Sequence, residues 1–502
     1  MHPIDLSVIA LYLALTLGVA LWMSRGAGQR TVDGYFLGAR DLPAWAVMLS
    51  IVATETSAIT VISVPGIAAR GDLTFLQLGL GYLLGRIAVA WWLLPGYFTG
   101  QQQTAYQRLQ ARFGVRTRQW LSAVFVLTRF LADGVRIFAG AIPLALLTGW
   151  DIGWSIVVMG SVTLAYTFVG GLKAVVWADA LQLFIYVAGG VAALWLAVQM
   201  AGDAAGGLDA AWARAAEAGK LTVFNPEWSL TAPFTLLGAL LGGAMLSAAS
   251  HGTDQIIVQR LLATRSLRSA QWALVGSGVL VTAQFALFLL LGTALWAAGQ
   301  APEGLAGDQI FARFIVDHLP VGLAGLLMAG ILAAAMSTIS SSISALASSM
   351  TNDLYASFTG RQDDAHLLQV GRAFSVLWGV LLTMAALGFH VAASGRDAPV
   401  VVLALSIASV TYGALLGAYV LAGSTPGRQG VQGRDVITGA AVAVVVMLMV
   451  VFAGRLSLAV PALEALAPLG RLAFPWYVPL GTLLTVGVAW LSRSMRRRGK
   501  AR

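Results

Sequence analysis

An all-α integral membrane protein of about thirteen transmembrane helices is predicted by three features of this chain. Of its 502 residues 58% are hydrophobic and only 11% charged, a balance far more apolar than a soluble domain's. Apolar stretches long enough to cross a hydrocarbon core of roughly 30 Å recur from end to end. Lysine and arginine gather in alternate loops, as they do when topology is set by charge. The chain has no cysteine, which excludes disulfides, thiolate metal sites and cysteine nucleophiles.

The first span, centred in residues 5–23, follows no basic n-region and precedes no small-residue cleavage site, so it reads as a retained helix and not a signal peptide. The second, 43–67, contains "LSIVATETSAITVISVPG". Hydroxyl and β-branched residues compete for backbone bonds around a carboxylate there, the expected look of a discontinuous helix. Broken helices offer free carbonyls and half-helix ends to ions and solutes near the midplane. Glu55 is the sharpest functional candidate, because a membrane carboxylate needs a cation, a proton or a hydroxylated ligand. Pairing with an arginine is the structural alternative.

The third span covers 73–99 and the fourth 119–147. In "TRFLADGVRIFAGA" of the fourth, Asp133 stands four residues after Arg129 and three before Arg136. It can neutralise one guanidinium and leave Arg136 to recognise an anionic solute group, or the cluster is simply self-neutralised. The fifth and sixth spans, 152–170 and 175–200, meet at "GGLKAVVWADALQ". Asp179 lies there about two turns from the start of the sixth span, a shallow position that is either interfacial or part of a cation site with serines. Residues 201–231, including "LDAAWARAAEAGK", and 300–318 read as short amphipathic helices over the outer face, as caps or as lids.

The seventh span, 232–250, carries a Gly-Gly pair and then Ser-His-Gly where the helix should continue. Interruptions in two corresponding spans, second and seventh, point to a transporter with inverted repeats. The eighth span is 270–298 and the ninth 320–352. The ninth holds "LAAAMSTISSSISALASS", with eight hydroxyls in residues 332–349. Ala334, Ser337, Thr338 and Ser341 share one helical stripe, extended by Ser344 and Ser348 and flanked by Ser340. Neutral oxygens of this kind suit a weakly held hard cation, and equally suit close helix packing. Spans at 367–390, 398–423, 434–453 and 472–492 complete the chain.

With the N-terminus outside, 21 of the 31 Lys and Arg residues fall on the inside, seven outside and three within spans. The positive-inside rule thus selects an outer N-terminus and a cytoplasmic C-terminus in the plasma (bacterial inner) membrane. The net charge of +9 is a topology signal and not a sign of nucleic-acid binding. No phosphate-binding loop or soluble ATPase or kinase segment is present, so energy must come from elsewhere.

"GGLKAVVWADALQ" at 170–182, "TDQIIVQRLLA" at 253–263 and "MSTISSSISALASSMTNDLY" at 336–355, with "LSIVATETSA" at 49–58, together resemble the sodium/solute symporter family of sodium-coupled glucose, proline and sialic-acid carriers. Order and spacing agree from about residue 5 to 425. The resemblance implies a LeuT-type five-plus-five inverted repeat. Its repeats would be residues 43–200 and 232–423, joined by an outer loop at 201–231, with one extra helix and a cytoplasmic loop in 1–42 and two helices and a basic tail in 424–502. It implies a sodium-coupled secondary symporter, not an enzyme, that imports a small polar solute by alternating access. Carried over by position, a main sodium site falls on backbone oxygens of Ala53, Thr56 and Ala334 with the hydroxyls of Ser337 and Thr338. A second sodium site found in some members maps to Asp179, Ser340 and Ser341. The solute pocket would draw on Glu55, Thr56, Ser57, Thr60, Gln77, Arg136, Ser250 and His251, for a sugar, sugar acid, amino acid or organic acid. The sugar carriers' aromatic residues before Thr-Asp-Gln are replaced by Ser250 and His251, which speaks against a glucose-type gate.

Proton coupling through Glu55 is the nearest rival. A polytopic membrane enzyme would need clustered acids or histidines at one surface, and the five histidines here are scattered. A sensor built on the same fold would carry an appended signalling domain, for which the tail "RSMRRRGKAR" leaves no room.

Overall fold

The computed structural model describes residues 2–24, 30–100, 102–393, 400–424, 430–459 and 461–501. Arg25, Arg396, Arg428 and Arg502, used above for the orientation, and the first residues of the span at 398–423 lie outside the described residues. Helices stand at each of the thirteen expected positions, and among the described residues the one β pairing is an isolated bridge between Leu42 and Thr264. A helix satisfies its own backbone groups, which is what a hydrocarbon solvent demands. Among the described residues, eight helices are long and apolar enough to cross a membrane, nine if one bent pair counts as a single span.

In chain order the helices that matter here are α1 (Pro3–Ser24), α2 (Ala44–Glu55), α3 (Ala58–Arg70), α4 (Gln77–Ala88), α5 (Val115–Thr148), α6 (Ile152–Ala205), α7 (Leu208–Glu217), α8 (Ala244–Gly252), α9 (Gln255–Leu262), α10 (Leu267–Ala297), α11 (Gly307–His318), α12 (Leu323–Ser349) and α13 (Asp364–Ala393). Helices at Val400–Ser424, Gly433–Ala459 and Tyr477–Ala501 follow.

Three interruptions shape the bundle. The second span breaks where Thr-Glu-Thr-Ser predicts: α2 ends at Glu55, Thr56 is extended (φ −80°, ψ 110°), and Ser57 caps α3 by accepting the Thr60 N–H at 3.3 Å. The pair is bent by 64°. The seventh span is a π-turn over Gly238–Gly243 followed by α8, and its break comes at Thr253, just beyond the Ser-His-Gly stretch, where Asp254 caps α9 through the Ile256 N–H at 2.9 Å. The fifth and sixth spans form the single run of α6, which leaves helical dihedrals at Gly171 (φ 53°, ψ −156°). A Cβ there would lie 2.5 Å from the Tyr35 carbonyl oxygen. Since L-residues also resist that φ, Gly171→Ala is expected to lower the melting temperature in detergent by several degrees, whereas the same change at Gly149, also at positive φ but with open space around it, should cost less.

The core of the bundle is α12. Every residue from Leu327 to Ser349 is buried, so the hydroxyl run faces protein on all sides and not lipid. Small residues allow this closeness: a Cβ on Gly330 would come within 2.9 Å of the Tyr186 backbone of α6. The start of α12 is capped from α1, whose Asp5 carboxylate accepts the N–H groups of Gly322 at 2.7 Å and Gly325 at 2.9 Å.

Both amphipathic loop helices are present. α11 buries Ile310, Phe311, Phe314 and Ile315. The loops they belong to hold the far end of α3: Lys220 donates to the Ala69 carbonyl at 2.8 Å, and Arg70 donates to the carbonyls of Ala301, Pro302 and Leu305. Burial beside Trp296 lowers the Lys220 pKa from the ordinary lysine value.

Candidate ion and solute site

The break in the second span supplies oxygens. The last rung of α2 is the Thr56 N–H on the Val52 carbonyl at 3.0 Å, which leaves the carbonyls from Ala53 onward beyond the helical ladder. The Thr56 hydroxyl is spent, donating to the Val52 carbonyl at 2.9 Å and pairing with the Gln284 amide of α10, so only its backbone oxygen is available. Tyr186 holds the same amide at 3.0 Å.

α12 faces this break. The Thr54 hydroxyl lies 3.1 Å from that of Ser341, and Gly140 of α5 sits against both Ala58 and Ala335, with a notional Cβ 3.6 Å and 3.4 Å from theirs. The five expected ligands therefore come from two neighbouring elements. Thr338 donates its proton to the Ala334 carbonyl at 3.3 Å, and Ser337 donates its proton to Asp179 at 2.7 Å. In both cases the hydroxyl lone pairs stay open to a cation. Neutral carbonyl and hydroxyl oxygens are a donor set that fits a hard monovalent ion.

The second expected set is assembled differently. Asp179 is not interfacial but fully buried, because α2, α9 and α12 enclose it. Its carboxylate accepts from Ser50 at 2.5 Å, Ser337 at 2.7 Å and the Arg260 guanidinium at 2.9 Å. Arg260, which its position in the sequence assigns to a polar loop, has no exposed surface. Ser341 accepts from Arg260 at 2.6 Å, while Ser340 donates to the Ser337 carbonyl at 3.1 Å and makes no hydrogen bond to Asp179.

The solute candidates separate into those at the break and those already engaged. Glu55 is paired with Arg86 of α4 and lies 3.5 Å from His251 Nε2. Arg86 also donates to Ser277 at 2.6 Å. Ser250 lies 2.8 Å from His251 Nδ1, extending this chain along α8. Ser57 and Thr60 are hydrogen-bonded to each other at 3.1 Å and half-buried. Gln77 is not brought to the others: its amide donates to the carbonyls of Thr74 and Phe234 and accepts the Asn225 N–H, which consumes it as a clasp between α4 and the loop before α8.

Arg136 occupies a distinct place. It lies one turn before Gly140 on α5, on the face that meets Ala58 and Ala335. Asp133 is 3.7 Å away but is already engaged by Ser342 at 2.6 Å and by Arg129 at 3.4 Å. Arg129 in turn pairs with Asp254 and donates to Tyr412. Arg86, Arg129 and Arg260 all hydrogen-bond to protein, whereas Arg136, 22% exposed, makes none to the described residues and has only the looser pairing with Asp133.

The partners that sequence reasoning missed are Arg86, Arg260, Gln284, Ser50 and Thr54. Arg86 and Gln284 carried a signal, a polar group inside an apolar span. Ser50 and Thr54 carried little, since a lone hydroxyl in a helix usually bonds the preceding turn.

The model of the sodium:solute symporter family matches residues 35–424. The sodium/sialic acid symporter SiaT of Proteus mirabilis is 29% identical over 76% of this chain and 78% of its own. The sodium/sialic acid symporter NanT of Aliivibrio fischeri is 30% identical over 75% of each. A solved structure of a Na+-coupled sialic acid symporter, substrate-bound and outward-open, superposes over 98% of both chains with a TM-score of 0.85 at 25% identity.

Proposed function

Because the chain belongs to the sodium:solute symporter family, and so is a multi-pass, LeuT-fold carrier that couples a small solute to sodium, we propose that its solute is a carboxylated sugar of the sialic-acid type, with Arg136 as the group that receives the carboxylate. The observation that carries this reading is the guanidinium of Arg136 beside the broken helix, partly exposed and paired only loosely, at 3.7 Å, with an Asp133 carboxylate that Ser342 and Arg129 also engage. Guanidinium matches carboxylate through two parallel N–H donors. Both bacterial relatives are sodium/sialic acid symporters by name. Ser57 and Thr60 supply hydroxyls for the sugar, with Glu55, Ser250 and His251 on the facing side.

Sodium would be held at the main site by the carbonyls of Ala53, Thr56 and Ala334 and the hydroxyls of Ser337 and Thr338. Its ligands lie on both repeats, 43–200 and 232–423. Binding therefore stabilises one relative placement of α2 and α12, and a ligand shifts an equilibrium only through such differential affinity. The N-terminus would face outside and the C-terminus the cytoplasm, supported by the asymmetry of basic residues. In that orientation each sodium ion moving inward gains about 2.3 kcal/mol per 100 mV.

Proton coupling through Glu55 has less support, because Arg86 neutralises Glu55 without a proton, and a guanidinium does not deprotonate in proteins.

Two measurements test the reading. In proteoliposomes with an inward sodium gradient, unlabelled sugar acids should compete with labelled sialic acid while the matching neutral sugars compete far less; equal competition by neutral sugars would contradict the assignment of Arg136. Ser337→Ala should raise the sodium concentration for half-maximal uptake on the order of tenfold and leave the order of competing solutes unchanged. A changed order would move Ser337 to the solute pocket.

A further inference from the structure

A row of alternating charges runs from Arg136 along α5 and across to the break of the seventh span. Arg136 lies 3.7 Å from Asp133, and Asp133 lies 3.4 Å from Arg129. Arg129 in turn donates to one oxygen of Asp254, through Nε at 3.0 Å and through a terminal nitrogen as well. Tyr412 closes the far end, accepting from Arg129 at 2.7 Å and donating to Asp254 at 3.1 Å. Both carboxylates are without exposed surface and Arg129 is buried. Arg129 thus stands between two carboxylates, and its shorter contacts are to Asp254.

We propose that this row relays solute binding to an inner latch, the Arg129–Asp254 pair: the carboxylate of a bound solute neutralises Arg136, and Asp133 then draws Arg129 away from Asp254. The inference rests on the Arg136 reading above. Asp133 and Arg129 are positioning residues in this scheme, and a carboxylated solute is selected over a neutral one at opening as well as at binding.

The place of the latch supports this. Arg129 is seven residues, or about 10 Å at 1.5 Å per residue, from Arg136 toward the Val115 end of α5, the end that the basic residues assign to the cytoplasm. The latch joins α5 to the helix at Val400–Ser424 through Tyr412 and to α9 through Asp254, whose other oxygen accepts the Ile256 N–H at 2.9 Å. Whatever holds Asp254 therefore holds the break of the seventh span. Beside the latch lies a small cavity, lined by Phe125 and Thr128 of α5 and by Thr411 and Leu415 of the helix opposite. The sign of the electrostatics agrees too. An incoming carboxylate turns Arg136 from Asp133 to itself, and Asp133, relieved of that partner, attracts Arg129 more strongly in a buried place where screening is weak. Ser342 holds the second oxygen of Asp133 to α12 at 2.6 Å, so Arg129 is the partner that shifts. A neutral solute leaves the row as it stands.

The chain has no cysteine, so Leu415→Cys, at a buried position lining the cavity beside the latch, reports opening through its rate of alkylation. The rate is measured with a maleimide on the detergent-solubilised full-length protein in sodium, with and without sialic acid, and binding of labelled sialic acid is measured on the same proteins. Sialic acid should raise the rate roughly tenfold, a usual size for coupling between two sites. With Asp133→Asn added, sialic acid should bind at least as tightly, because Arg136 is released from its carboxylate, yet leave the rate at its solute-free value; a merely structural role for Asp133 would not separate the two. With Asp254→Asn added, which keeps a helix-capping side chain, the rate should be high without solute. The relay is overturned by an unchanged rate in Leu415→Cys that has bound sialic acid, or by an Asp133→Asn protein that still speeds up on binding it. Slow alkylation of the Asp254→Asn protein without solute overturns it as well, and this arm decides the matter should the Asp133 variant not fold. Sialic acid binding undiminished by Arg136→Ala would instead remove the Arg136 reading, and the relay with it.

Discussion

Arg136→Ala is expected to slow uptake of sialic acid by about a hundred- to a thousandfold at subsaturating solute. Truncating one partner of a desolvated charge pair costs ~2–5 kcal/mol, and every 1.4 kcal/mol or so is a factor of ten. The loss is large because the neighbouring guanidiniums are already matched by closer protein carboxylates, Arg86 by Glu55 and Arg129 by Asp254, whereas Arg136 has only Asp133 at 3.7 Å. Arg136→Lys should fall between the two, since an ammonium keeps the charge and loses the planar fork. Initial rates in proteoliposomes at a fixed sodium gradient measure this, with the sodium concentration for half-maximal uptake as internal control. That concentration should stay close to the wild-type value, because Arg136 contributes no oxygen to the ion. Unchanged sialic acid uptake in the alanine variant would contradict the pocket as described.

The second large effect is on stability. Glu55→Ala leaves Arg86, which has no exposed side-chain surface, without its carboxylate. Breaking a buried ion pair from one side typically costs ~3–5 kcal/mol, enough to lower the melting temperature markedly and to reduce the yield of monodisperse protein. The paired replacement Glu55→Gln/Arg86→Met should recover most of that loss, since no buried charge then lacks a partner. Melting curves of the single and double variants in one detergent check the point; equal melting of Glu55→Ala and wild type would mean that the pair does not hold α2 to α4. The pair also bears on coupling. A carboxylate needed as a proton carrier must exchange its proton during each cycle, and a fixed guanidinium contact opposes that.

The fold was largely legible from the sequence because its signals are long-range and redundant. Apolar runs mark the helices, and Thr-Glu-Thr-Ser marks the break at Thr56, since those side chains favour non-helical backbone. The amphipathic patterns of α7 and α11 were equally plain. The seventh span was marked less accurately. His251 and Gly252 remain helical and the chain breaks at Thr253, because the capping carboxylate of Asp254 decides where the next helix starts.

The sites were less legible, for a physical reason. Which polar groups meet in a bundle depends on rotation and depth of each helix, and a sequence gives neither directly. Asp179 looked shallow by residue count, yet the kink at Gly171 sends the second half of α6 into the centre. Arg260 looked like a loop cation, yet α9 turns inward from Thr253 and carries it to Asp179. Gln77 looked like a pocket residue, yet its amide closes a loop. The hydroxyl run of α12 joins helices, since Ser342 donates to Asp133 and Ser344 accepts from Gln259, while Ser337 donates to Asp179 and keeps its lone pairs for the ion proposed above.

The central claim is that a sodium ion, held by the oxygens freed at the break of α2 and by the hydroxyls of α12, drives a carboxylated solute inward. Uptake of labelled sialic acid into proteoliposomes measures this most directly, with the sodium gradient and the pH gradient imposed separately. Accumulation is expected with an inward sodium gradient at equal pH, and none with a pH gradient in sodium-free choline buffer. Accumulation that persists without sodium and follows the pH gradient would contradict the account.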